Sequence, residues 1–185
     1  MYQSLNRNGI NNLKGGLKME IKRIELNQMK VASFTSFDEN PELNAIKSLL
    51  RWAQGKKFFS KDVKFHFFGF NNPIPTEDNP VYGYEVWFPL DDDFEGDDEI
   101  KIKEFKGGLF AVTSMLFSEY ISGQDWNVFH SEAVQWMKEN MYEREINVQW
   151  LEEHIAEKKE IENFMQESDL PKWNISLHLP IRKIG

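Results

Sequence analysis

Lys101–Phe117 reads KIKEFKGGLFAVTSMLF, and the fold follows from how this stretch is parsed. It is rich in strand formers on both sides of Gly107-Gly108, so it reads as a strand with a turn or bulge at the glycines. An earlier stretch repeats its character. IELNQMKVAS (Ile24–Ser33) lies over KEFKGGLFAV (Lys103–Val112) at a constant offset of 79. Few letters match, but the elements that follow recur in the same order.

In the first copy, Met19–Phe37 is a strand region broken near Asn27-Gln28. Pro41 then opens a helix whose apolar stripe is Leu43, Ile46, Leu49, Leu50 and Ala53, and Gly55 can stop it. Lys64–Phe70 and Val81–Leu90 read as strands around the proline-rich loop NNPIPTEDNP. Asp91–Glu99 packs seven acidic residues, which repel one another and belong in a solvated loop. In the second copy, Asp125 can cap a helix with apolar face Trp126, Phe129, Ala133, Trp136 and Met137. Ile146–Ile155 is a short strand candidate whose Glu-rich end can turn helical. Ala156–Asp169 is highly charged and reads as helix or loop. Trp173–Ile181 alternates well and closes the chain. Strand, helix, strand, strand therefore occurs twice. The expected fold is α+β: two duplicated modules, halves about 19–90 and 100–183, in a mostly antiparallel sheet with helices on one face and a cleft between the halves.

Composition narrows the function classes. The chain has 185 residues, a hydrophobic fraction of 41% and 26 aromatic side chains (Phe 15, Trp 6, Tyr 5). That is enough for one core and for aromatics lining a pocket. The formal net charge of -8 argues against direct nucleic-acid binding, which needs a basic footprint. Without cysteine there is no disulfide or thiolate chemistry. No apolar run reaches the roughly 20 residues that span a bilayer. Residues 1–18, rich in Asn and Gly and without a signal-peptide core, read as a flexible tail, so the folded unit is expected over 19–185 in the cytoplasm. No nucleotide, zinc-protease or serine-hydrolase motif occurs. Histidines at 66, 130, 154 and 178 lack metal-ligand spacing, so no metal or cofactor is expected.

The residues that stand out for function lie near the end. In a strand, Trp150, Glu152 and His154 share one face, and Leu151, Glu153 and Ile155 the other. Turning Leu151 and Ile155 toward the core places Glu152 and His154 with Trp150 on the opposite, concave face. A carboxylate among aromatics can hold a cationic or hydrogen-bonding ligand, or position a water as general base. An ordinary solvated strand face is the plainer alternative. Tyr82 and Tyr84 share one face of their strand and, with His178, are candidate opposing walls. Trp126 and Phe129 are candidates on the second-half side.

These features together resemble the GyrI-like small-molecule-binding superfamily, the effector-binding domains also fused to AraC-type and MerR-type regulators. The resemblance covers Met19–Lys183. It rests on KIKEFKGGLFAVTSMLF, where the family has an I-x-G-G-x-Y/F-A-V run. It also rests on the aromatic helix start DWNVFHSEAVQWM, and on LEEHI followed by WNISLHLPIRK, similar to the family's F-E-x-Y-L and closing P-I strand. The resemblance implies a duplicated strand-helix-strand-strand fold. It also implies a pocket for aromatic, often cationic molecules, with the ligand-contacting glutamate at Glu152. The family tyrosine two positions later is His154 here. Three functions are implied: a free-standing binder of aromatic xenobiotics, a hydrolase opening the cyclopropane ring of DNA-alkylating natural products with Glu152 positioning water, or a partner of proteins such as gyrase.

Overall fold

A computed structural model describes residues 19–56, 58, 64–74, 82–94, 96, 98–117, 122–166 and 171–185, without the side chains of 122–125. The segment 1–18, read as a tail, lies outside the described residues. Among the described residues there are nine strands, all paired antiparallel, and three helices. They are β1 Lys22–Leu26, β2 Met29–Ser36, α1 Pro41–Gly55, β3 Phe65–Asn71, β4 Tyr84–Leu90, β5 Lys101–Phe105, β6 Gly108–Leu116, α2 Ser122–Asn140, β7 Tyr142–Arg144, β8 Leu151–Ala156, α3 Lys158–Gln166 and β9 Asn174–Lys183. The strands form one curled half-barrel sheet in the order β1-β6-β9-β8-β3-β4-β2-β5, with β7 beside the end of β9.

The duplication is visible in the register. Shifting β1 by 79 gives β5, and shifting the start of β2 gives the start of β6. The break at Asn27-Gln28 corresponds to Lys106-Gly107, where Gly107 turns the chain at φ 78°, a conformation that favours glycine. The first strands are exchanged. β1 pairs with β6 of the other half, and β5 pairs with β2. Lys22 faces Val112, and the shifted pair, Lys101 facing Ser33, is also present. The expected α+β class with a repeated module is therefore found, with the added feature that the halves interleave.

Each helix forms for a local reason. In α1, Pro41 sits in the first turn and Asp38 accepts the Asn40 N–H at 2.7 Å and the Asn44 amide at 2.8 Å. Ala45, Ile46, Leu49, Leu50 and Ala53 are buried against Ala32, Phe65, Phe67, Tyr84 and Val86 of the sheet. In α2, Phe129, Ala133 and Met137 recur every fourth residue and pack on Ile175, Leu177, Leu179 and Ile181 of β9. The helix starts at Ser122, so Asp125 lies inside it and is not its cap. Ile146 is 81% exposed, and the strand expected from there begins only at Leu151. The charged stretch after it is α3, with Ile161 and Phe164 buried.

The face away from these two helices has its own apolar layer of Phe68, Phe70, Phe105, Phe110, Val112 and Leu151. Within the exchanged region, Glu85 is 1% exposed. It accepts hydrogen bonds from Ser33 at 2.7 Å and Asn72 at 2.7 Å, and from Trp87 and Lys103. Burial pushes its carboxyl up, but these donors outweigh that and hold it below its ordinary value. One carboxylate thus ties β2, β4 and β5 together.

At the centre of the sheet, Gly69 of β3 pairs with Glu152 of β8. A Cβ on Gly69 would collide with the ring and hydroxyl of Tyr84. Gly69→Ala should therefore cost about 1–3 kcal/mol, the range for overpacking a filled core. Urea denaturation checks this, and an unchanged midpoint would mean that Tyr84 does not lie across Gly69.

Candidate functional site

Strand alternation puts Glu152, His154 and Ala156 on one face of β8, as the sequence indicated, but that face is the helix-bearing one. Ala156 belongs to the α1 core, and Trp126 of α2 reaches Glu152. The opposite face of β8 is also buried at Leu151. Period-two reasoning finds which residues share a face, but it cannot assign polarity when both faces are covered.

Glu152 is 6% exposed and lies between the two halves. Its Oε2 accepts from the Tyr84 hydroxyl at 2.6 Å, and its Oε1 accepts from the Trp126 indole N–H at 2.9 Å. β4 supplies the first donor and α2 the second, so the carboxylate draws on both repeats. Phe129, fully buried, has its ring 5.7 Å from that of Trp126, and Trp150 meets Trp126 edge-on at 4.7 Å. Trp150 precedes β8 and also meets Phe70 at 6.5 Å, so it stands beside the site and not on the strand face of Glu152.

His154 is fully buried behind Tyr84. Its ring stacks on Phe67 at 4.6 Å with an interplanar angle of 2°. Nδ1 accepts from the Trp173 indole N–H at 3.1 Å, and Nε2 is 3.4 Å from the Tyr84 oxygen. Burial drives its pKa down to about 3, and the nearby charge of Glu153 offsets this only in part. His154 is a neutral ring in this core.

Two expected wall residues lie elsewhere. His178 is on the other face of the sheet, because Leu177 is the β9 residue paired with Glu152 and His178 alternates away from it. There His178 Nε2 is 3.1 Å from Glu153 Oε2, while half-exposed His66 is 3.3 Å from Oε1. Burial raises the Glu153 carboxyl, but the hydrogen bonds and charges of His178 and His66 hold it at about 2. Tyr82 precedes β4 and donates to Glu42 near the start of α1 at 2.7 Å. The sequence reading missed Trp173 and Phe67, the residues that fix the His154 ring. Both sat in plain apolar strand patterns, which gave no sign of their partner. Among the described residues, no group of three His, Asp or Glu side chains is placed to hold a metal ion, and no helix is long and apolar enough to cross a membrane.

No family model matches the chain, and no curated protein matches it significantly. Solved structures do. The C-terminal domain of EcmrR aligns with a TM-score of 0.55 and 12% identity, over 90% of this chain and 99% of that one. A hydrolase from Listeria innocua aligns with 0.55 and 12%, over 89% and 93%. EcmrR in a complex with DNA aligns with 0.56 and 12%, over 90% of this chain and 59% of that one. The chain shares its fold with these structures, at an identity that speaks to fold alone.

The buried His154 makes stability depend on pH. Its folded value of about 3 lies below the unfolded value of about 6.5, so between these limits the unfolded chain binds a proton that the folded chain excludes. The contribution is complete above pH 6.5 and is lost as pH falls through the window. From pH 7 to 5 the loss should be about 2 kcal/mol. Urea midpoints of the wild type should fall more over this range than those of His154→Gln. Parallel curves would show that His154 is protonated in the fold.

Proposed function

We propose that the chain binds aromatic small molecules, cations among them, in the seam between α1 and α2, with Glu152 as the polar anchor. The observation that carries this reading is the position of Glu152. It is a buried carboxylate at the junction of the repeats, with aromatic donors from both halves. A carboxylate held in a low-dielectric setting attracts a cation more strongly than one in water, and the indole faces nearby suit a flat ligand. Tyr84, Trp126, Phe129 and His154 are the surrounding residues in this proposal. Tyr82 and His178 are not part of it.

The fold is shared with the C-terminal domain of EcmrR and with a hydrolase, so by itself it does not choose between binding and turnover. In the hydrolase reading, Glu152 positions a water against an electrophilic ring such as a cyclopropane. Mass spectrometry of a cyclopropane-bearing alkylator incubated with the protein separates the two: ring-opened product beyond one equivalent means turnover, and intact bound ligand means binding alone. The acidic balance of the chain argues against direct DNA binding.

Glu152→Gln keeps the shape and removes the charge. It should weaken a cationic aromatic dye by about tenfold or more, measured by fluorescence titration. Glu25→Gln, on an exposed edge strand, is the control and should leave affinity unchanged. Glu153 is no control, because it holds two histidines. Equal affinities for the Glu152 variant and the wild type would overturn the reading.

A further inference from the structure

The groups behind Glu152 form a directed chain. An indole N–H can only donate, so Trp173 at 3.1 Å from Nδ1 requires a lone pair on that nitrogen. A proton on Nδ1 would set two N–H groups head to head. The neutral ring must then carry its hydrogen on Nε2, which faces the Tyr84 oxygen at 3.4 Å. Tyr84 has one proton. With an N–H pointing at its oxygen, that proton goes to Glu152 Oε2 at 2.6 Å. The flat stack on Phe67 holds the imidazole plane, and Gly69 leaves the space that Tyr84 fills.

We propose that Trp173 and His154 are positioning residues for the Glu152 site: together they orient a one-way hydrogen-bond relay, Trp173 to His154 to Tyr84 to Glu152, that commits the Tyr84 hydroxyl to the carboxylate. With the other tautomer, Nε2 would be an acceptor, and Tyr84 could donate to either His154 or Glu152. Trp173 removes that choice from a distance. Its effect on a ligand rests on the reading of Glu152 as the ligand anchor; the relay itself does not.

Two measurements on the full chain test this. Nitrogen-15 spectra of the histidine rings should show His154 as the Nε2–H tautomer, with no titration from pH 8 to 5. An Nδ1–H tautomer, or a midpoint inside that range, would overturn the proposal. Trp173→Phe keeps a ring and removes the donor, and Nδ1–H signal should then appear. The second measurement is a double-mutant cycle of Trp173→Phe with Tyr84→Phe, read by urea denaturation and by dye titration. Each single change should weaken dye binding about threefold or more. In dye binding the pair should cost no more than Tyr84→Phe alone, and in urea the two losses should fall short of additive, because both weaken one hydrogen bond. Additive losses would show that Trp173 serves packing only. If the wild type binds no cationic dye, the anchor reading falls, while the tautomer and the cycle in urea still decide the relay.

Discussion

The structure depends on the β3–β8 ladder, and within it on Gly69 lying opposite Glu152. At this pair the two repeats meet in mid-sheet. A side chain on Gly69 would exclude Tyr84, and without Tyr84 the Glu152 carboxylate would lose its donor from the first repeat. A buried carboxylate is costly unless its lone pairs are met. The fold meets that cost by bringing a phenol from β4 and an indole from α2 to one point between the helices. The site follows from how the halves are joined.

The two faces of the sheet handle charge differently. On the helix-bearing face, Glu152 accepts from Tyr84 and Trp126, and the nearest histidine is kept neutral by burial. On the other face, Glu85 and Glu153 are matched with cationic or ionisable partners, Lys103 for one and His66 and His178 for the other. Those carboxylates bind strands to one another. Neighbouring positions 152 and 153, identical in chemistry, are thus separated in role by the pleat of a single strand.

Much of the fold was legible in the sequence. The break at Asn27-Gln28, the helix from Pro41 to Gly55 and the turn at Gly107 are set by local rules: backbone freedom, a proline's fixed angle and helical spacing. The repeat offset of 79 also carried over residue for residue into β1 and β5. The strand exchange was not legible, because antiparallel pairing between distant segments leaves no mark in either segment alone. Among the site residues, the shared face of Glu152 and His154 was readable from alternation. Its orientation was not, since Leu151 and His154 are both buried and hydrophobicity then gives no direction. Tyr82 and Tyr84 looked equivalent by spacing, yet β4 begins at Tyr84, and only one of them enters the sheet.

The exchanged first strands have a consequence for what counts as the smallest folded unit. β1 is hydrogen-bonded along its length to β6, and β5 to β2, so each repeat lends an edge to the other and keeps none for itself. A single repeat excised from the chain would expose the flank of its long second strand, an open template for another copy. Two such fragments could cover each other by trading first strands, as the intact chain does within itself. The tandem chain is thus the covalent equivalent of a strand-swapped pair, and cleavage of the peptide between the repeats would leave them woven together.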